Sequence, residues 1–137
     1  MPEGEIYFHK LPNWYCLLIT YQFSKLPTLL RHRQKIVFVY KNKLKSSSSG
    51  LLRFPIFVKN RKKLIKFLKN NRIYVSDIWY DAPIAPFRCL NQTTYHGGCP
   101  MSENLSKTIV NLPTHLNVSE KEAERISEKI KLWLSMQ

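Results

Sequence analysis

The sequence predicts an α+β fold, with a sheet of about three strands covered on one side by helices and a long proline-kinked helix in front. Three observations carry this. Apolar residues recur at helical spacing in several separate segments, short apolar runs bounded by turn residues lie between them, and no internal repeat is present. A chain of 137 residues has material for one domain with a modest core.

Leu11-Pro12-Asn13 opens the first helix, with Asn13 as the expected N-cap. Leu17, Leu18, Tyr21, Leu26, Leu29 and Leu30 recur at helical spacing, and Ile36, Val39, Tyr40 and Leu44 continue the stripe. Pro27 must interrupt it, because proline lacks an N–H and clashes with the preceding turn. The expectation is helix 13–26, a kink, and helix 28–45. The first piece is apolar almost all round, which predicts burial against something larger than this chain.

Ser46 to Gly50 reads as a short polar linker, and Leu51 to Val58 as a strand. Pro55 places that strand at an edge, since it cannot donate to a ladder. Arg61 to Asn70 reads as a helix with Leu64, Ile65, Phe67 and Leu68 inward and its lysines reaching outward. Asn70-Asn71 ends it, and Ile73-Tyr74-Val75 reads as a second, short strand. Residues 77–99 form a long irregular loop, of the kind that is often functional inside a compact domain.

Pro100 opens helix 100–107, Ile109 to Leu112 is the third strand, and Pro113 stops it. Ser119 with Glu122 three residues on is a capping box opening the last helix, 119–134. Ala123, Ile126, Ile130, Trp133 and Leu134 form its apolar face.

The composition bounds the function. Hydrophobic residues make up 44% and mean hydropathy is -0.30, which describes a globular chain. The longest apolar stretch, Trp14 to Phe23, is interrupted by Thr20 and Gln22 and falls short of the roughly 20 residues that span a bilayer. The acidic start Met-Pro-Glu-Gly-Glu does not resemble a signal peptide, so the expected location is the cytoplasm and no membrane partner is expected. Cys16, Cys89 and Cys99 are odd in number and lack a Cys-x-x-Cys pair, which points away from a disulfide framework or a zinc site. In that setting the sequons at Asn91, Asn104 and Asn117 carry little weight.

The net charge of +13 is uneven: residues 1–72 carry 16 Lys and Arg against Glu3 and Glu5, and residues 73–137 carry six against seven acids. No carboxylate lies between Lys10 and Arg72. Such a field attracts phosphate-bearing partners, although a solvated basic surface accounts for the same composition.

Chemistry-bearing residues are sparse. No glycine-rich phosphate loop, metal-ligand spacing or nucleophile with an adjacent base is present. His9, His32, His96 and His115 are scattered and read as structural or surface residues. Asp77 and Asp81 either cap turns or form a carboxylate pair, the former being the better reading. Arg31, Arg33 and Lys35 form a solvated face or grip phosphate. Trp79, Tyr80, Phe87 and Tyr95 pack in the core or stack on a ring of a ligand.

Six segments in order carry a resemblance. They are Lys10-Leu11-Pro12-Asn13 through Gln22-Phe23-Ser24-Lys25-Leu26; Arg31-His32-Arg33 through Val39-Tyr40; Arg53-Phe54-Pro55-Ile56; Trp79-Tyr80-Asp81-Ala82-Pro83-Ile84-Ala85-Pro86; Tyr95-His96-Gly97-Gly98-Cys99-Pro100; and Asn111-Leu112-Pro113-Thr114-His115. Together they resemble the C-terminal part of the DegT/DnrJ/StrS-type sugar aminotransferases, over nearly all of residues 10–134.

The resemblance implies the small α+β domain of a fold-type I enzyme, with residues 1–45 a tail and linking helix packing on a large domain and 46–137 the small domain itself. Enzymes of this family depend on pyridoxal phosphate and move an amino group, usually from glutamate, onto a nucleotide-linked keto-sugar at a dimer interface. A large-domain lysine holds the cofactor as a Schiff base, and the cofactor acts as electron sink. That lysine, the aspartate facing the pyridine nitrogen and the phosphate-binding residues have no counterparts here. The expectation is therefore a fragment or small subunit, inactive and without bound cofactor on its own, whose partner is the large domain. By the same resemblance Trp79, Tyr80, Asp81, Tyr95 and His96 line the substrate side, with no catalytic residue in this chain. The alternative reading is a free-standing basic module that binds nucleic acid or another polyanion; nucleic acid is not the expected partner.

Overall fold

The computed structural model describes residues 12–50, 52–75, 81–84 and 86–137. Five helices and two strands follow in the order α1 (Asn13–Ser24), α2 (Leu26–Leu44), β1 (Arg53–Phe57), α3 (Arg61–Asn70), α4 (Pro100–Thr108), β2 (Ile109–Pro113) and α5 (Glu120–Ser135), with a 3₁₀ helix at Phe87–Gln92. The α+β class stands.

Strands β1 and β2 pair antiparallel, from Arg53 opposite Pro113 to Phe57 opposite Ile109. Alternation sends Phe54, Ile56, Val110 and Leu112 to one face, where they are buried against Ile36, Val37 and Tyr40 of α2, Leu64 and Leu68 of α3, and Ala123, Ile126, Ile130 and Trp133 of α5. On the other face Phe57 is exposed while Asn111 is buried. Pro55 sits in a strand with a single neighbour, as its missing N–H requires, and its carbonyl accepts a hydrogen bond from the Ser48 hydroxyl at 2.8 Å.

The strand expected at 73–75 is not formed, and among the described residues the sheet has two strands. The reason lies in how α3 ends. Arg72 takes the left-handed conformation at φ 59°, its N–H donates to Lys69 O, and the Ile73 N–H donates back to Leu68 O at 2.9 Å. This is a Schellman stop, with buried Ile73 over buried Leu68. Ile73 spends its N–H on the helix rather than on a ladder.

The long helical region is divided at Lys25 rather than at Pro27, which stands in the first turn of α2, where a missing N–H leaves no bond unmade. Asn13 is the first helical residue rather than the cap, and no side chain caps α1. At α5 the N-cap half of the capping box is formed: the Ser119 hydroxyl accepts the Glu122 N–H at 3.1 Å. The Glu122 carboxylate turns instead to Arg125, which donates to it from Nε at 2.8 Å and Nη2 at 2.7 Å, and this pair holds the Glu122 carboxyl below its usual range. Arg125 Nη1 also donates to Asn71 O, tying α5 to the end of α3. Leu134, expected inward, is exposed, and Ser127 takes a buried place by donating to Ala123 O.

Helix α2 is fastened to the sheet by polar contacts as well as by its apolar stripe. The Tyr40 hydroxyl donates to Pro113 O at 3.0 Å, and burial, with the Glu122 charge second, pushes its phenol upward. Arg33 donates to Leu52 O at 2.8 Å, and the Thr114 hydroxyl reaches the same carbonyl. By contrast α1 buries no residue: Trp14, Leu17 and Phe23 are 59%, 74% and 67% exposed. A helix this apolar is unstable in water without a cover. No described helix is long and apolar enough to cross a membrane.

Candidate functional site

The site is assembled where the sheet, α3 and the 81–107 segment meet. Val58 N–H donates to Thr108 O at 2.9 Å, just beyond the paired strands, and this brings Lys59 and Lys107 to the same end of the sheet. Arg61, 7% exposed, donates from Nε to Ile109 O at 2.7 Å and pins the first turn of α3 there. Lys62 and Lys63 follow on that turn, which carries no acid and no side-chain cap, and the Asn60 amide donates to Gln137 Oε1.

Asp81 enters from the other side. Its Oδ1 accepts the Phe87 N–H at 2.9 Å, satisfying a donor at the start of the 3₁₀ helix. This is the turn-capping role read for the aspartates; Asp77 lies outside the described residues. Asp81, Phe87 and the lysines 59, 62, 63 and 107 line a cavity of about 550 Å³. Phe87, 69% exposed, also lines a second cavity of about 520 Å³ with Arg88, Leu90 and Tyr95.

Tyr95 lines this second cavity while its hydroxyl is committed to the turn before α4. The hydroxyl donates to Glu103 Oε1 at 2.6 Å and accepts the Cys99 N–H at 3.2 Å. Between them Gly97 and Gly98 stand at φ 95° and 97°, a conformation that L side chains rarely adopt. The Glu103 hydrogen bond, above all, pushes the Tyr95 phenol up to about 12. A phenol so engaged holds the turn in front of α4 and is a poor proton carrier near neutral pH.

Of the five residues expected on the substrate side, Asp81 and Tyr95 therefore line adjoining cavities that share Phe87, while Trp79 and Tyr80 lie outside the described residues. His96 is exposed on the Tyr95–Cys99 turn and lines neither cavity. Arg31 and Lys35 border a shallow cavity with Glu120, whereas Arg33 turns to backbone, so the three do not act as one grip. His32 lies 3.2 Å from the His115 carbonyl through Nε2 and serves packing. The α3 lysines Lys62 and Lys63, expected to reach outward, border this cavity; the carboxylate-free run is the signal that marks them, and the pairing of residues 58 and 108 is what adds Lys107.

The sequence model of the DegT/DnrJ/EryC1/StrS aminotransferase family matches residues 7–131. The chain belongs to that family. Its fold is similar to solved DegT-type structures. A DegT DnrJ EryC1 StrS aminotransferase from Brucella abortus matches at TM-score 0.72 and 22% identity, over 96% of this chain and 40% of that one. DesV of S. venezuelae, solved in complex with a ketimine intermediate, matches at TM-score 0.72 and 12% identity, over 97% and 40%. The aminotransferase TlmJ from Streptoalloteichus hindustanus matches at 0.70 and 17%, over 85% and 35%. No curated protein matches the sequence. The chain thus spans 35 to 40% of the length of these DegT-type relatives.

The family's cofactor asks for a sequestered lysine, a carboxylate for the pyridine nitrogen and a phosphate cradle in one place. The described residues do not fit it. None of the described lysines is buried, and the Lys43–Glu124 pair, at 3.4 Å, is on the surface. Among the described residues no group of three His, Cys, Asp or Glu side chains could hold a metal ion.

Proposed function

We propose that this chain is the small-domain part of a DegT-type aminotransferase acting on nucleotide-linked keto-sugars, with 1–45 linking to the cofactor domain and 46–137 closing the substrate side. The observation that carries the reading is the placement of Asp81 and Tyr95. These residues belong to two separate landmarks of the family resemblance, and they border adjoining cavities joined at Phe87. Trp79 and Tyr80 precede Asp81 directly in sequence and belong to the same wall in this reading. The exposed apolar surface of α1 supports a partner that covers it, and the 60% or so of each relative's length that this chain does not span supplies one. The cofactor and its lysine come from that partner, and this chain orients substrate and excludes water.

The test is reconstitution with a large-domain polypeptide of the family, assaying amino transfer to a nucleotide-linked keto-sugar. Trp79→Ala and Tyr95→Ala lower kcat/KM by about tenfold or more, as loss of substrate positioning does, and leave the cofactor's visible absorption intact. Equal loss of turnover and cofactor absorption, or no loss of either, overturns the assignment.

A further inference from the structure

A cavity of about 290 Å³ opens where the ends of α2 and β1 meet the last turns of α5, and none of the residues assigned to the substrate side lines it. Its walls are Leu44, Ile56, Phe57, Val58, Ile130 and Leu134. Ile56, Val58 and Ile130 belong to the core, whereas Phe57 and Leu134 stand 56% and 51% exposed beside them. Two large apolar side chains held open over a dip into the core leave area that an apolar ligand would remove from water. The cavity shares Phe57, Val58 and Leu134 with a second space beside Trp133, which the Asn60–Gln137 hydrogen bond at 2.9 Å borders. Together the two spaces offer a continuous apolar run.

Charge is distributed unevenly along that run. Lys43, Lys45 and Lys131 line the first space, and the second carries Lys59 alone. Lys43 is paired with Glu124 at 3.4 Å, while Lys45 and Lys131 have no ion pair with a described carboxylate. The C-terminal ends of α2 and α5 lie here and contribute about half a negative charge each. Two unit positive charges exceed that, so the apolar walls carry a cationic rim. Size then selects the occupant. The first space sits at the lower end of small-ligand cavities, roughly 300–1,000 Å³, whereas a stable protein partner covers about 800 Å² on each side.

We propose that this cavity binds an unbranched acyl carboxylate, with its carboxylate between Lys45 and Lys131 and its chain over Phe57, Val58 and Leu134. The site is separate from the transamination reading above and does not rest on it. Binding is read without cofactor, large domain or sugar, so its failure is distinguishable from failure of the transamination assay.

The experiment titrates the full chain with octanoate, followed by calorimetry and by backbone amide NMR. Octanoate binds with one-to-one stoichiometry and shifts the amides of Leu44, Phe57, Val58 and Leu134. Hexanoate, two methylenes shorter, binds about tenfold more weakly. Lys45→Asn keeps a residue that tolerates the left-handed conformation at φ 50°. Combined with Lys131→Gln, it weakens octanoate by about fivefold and leaves 1-octanol, which has the chain without the charge, within about twofold. Leu134→Asp weakens octanoate by about tenfold or more. Leu17→Asp, the same change on the apolar surface of α1, leaves it within about twofold. Equal weakening by Leu134→Asp and Leu17→Asp overturns the proposal in favour of loose adsorption on exposed apolar surface. An acidic amphipathic peptide that displaces octanoate and binds more tightly, through Leu134, overturns it in favour of a protein partner. Equal affinity for hexanoate and octanoate, an octanoate affinity unchanged by the paired lysine substitutions, or no saturable binding below about 10 mM overturns it outright.

Discussion

Replacing Tyr40 with phenylalanine removes one oxygen from the centre of the fold, and its effect changes sign with pH. Tyr40 is fully buried between α2 and the sheet, its ring 5.3 Å from that of Phe54, and its hydroxyl donates to Pro113 O at 3.0 Å. The ring remains in Tyr40→Phe, so packing is kept and the loss is one neutral hydrogen bond, about 1 kcal/mol at pH 7. Alkali reverses the ranking. Burial, and secondarily the Glu122 charge, raises the folded phenol well above its ordinary value of 10.0, so the unfolded chain ionises first. The folded state then holds the extra proton, and wild-type stability falls by about 1.4 kcal/mol for each pH unit above 10. Phenylalanine has no such term. The two proteins reach equal stability between about pH 10.5 and 11, and above that the variant is the more stable. Urea denaturation followed by circular dichroism at a series of pH values measures the difference. A gap that stays constant from neutral pH to about 11.5 refutes the placement of the Tyr40 proton in a dry, hydrogen-bonded site.

Other substitutions test separate links. Arg72→Gly relieves a left-handed residue at the Schellman stop of α3 and raises stability by about 0.5–1 kcal/mol in the same denaturation assay. Ser119→Ala removes the N-cap of α5 and costs about 1 kcal/mol, with Thr in its place retaining most of the stability. Leu17→Lys with Phe23→Lys changes the unfolding free energy by less than about 0.5 kcal/mol, since both residues are exposed. The same pair lowers the binding of an apolar fluorescent dye, and a large loss of stability refutes the uncovered state of α1.

What could be read in the sequence follows the range of the interactions involved. The Ser119 cap depends on a residue three positions away, and the face of α5 through Ala123, Ile126, Ile130 and Trp133 on a helical period, so both were legible. Ile73-Tyr74-Val75 misled because β-branched and aromatic residues suit a strand and also suit the apolar seal on a helix stop. The decision came from Arg72 entering the left-handed region, which arginine composition does not announce. At the site, Asp81 was legible as a turn cap and the charge bias of the first half was plain. The convergence of Lys107 on Lys59 was not, because it depends on strand pairing across fifty residues of sequence separation (Val58 to Thr108). Tyr95 was legible as a loop aromatic, whereas its hydroxyl's commitment to Glu103 needed the turn through two left-handed glycines.

The break at Lys25 divides the long helical region into two elements with different bonds to the rest of the molecule. Helix α2 is held by buried Ile36, Val37 and Tyr40 and by side-chain bonds to the sheet, while α1 buries no residue. In hydrogen exchange the α2 amides are accordingly protected by close to the global unfolding free energy, and those of α1 open locally and exchange orders of magnitude sooner. Helix α1 is therefore joined to the rest of the described fold chiefly through the turn at Lys25. Binding that covers it orders a dozen residues at once, and slowed exchange confined to Asn13–Ser24 is the earliest signature of a partner having docked.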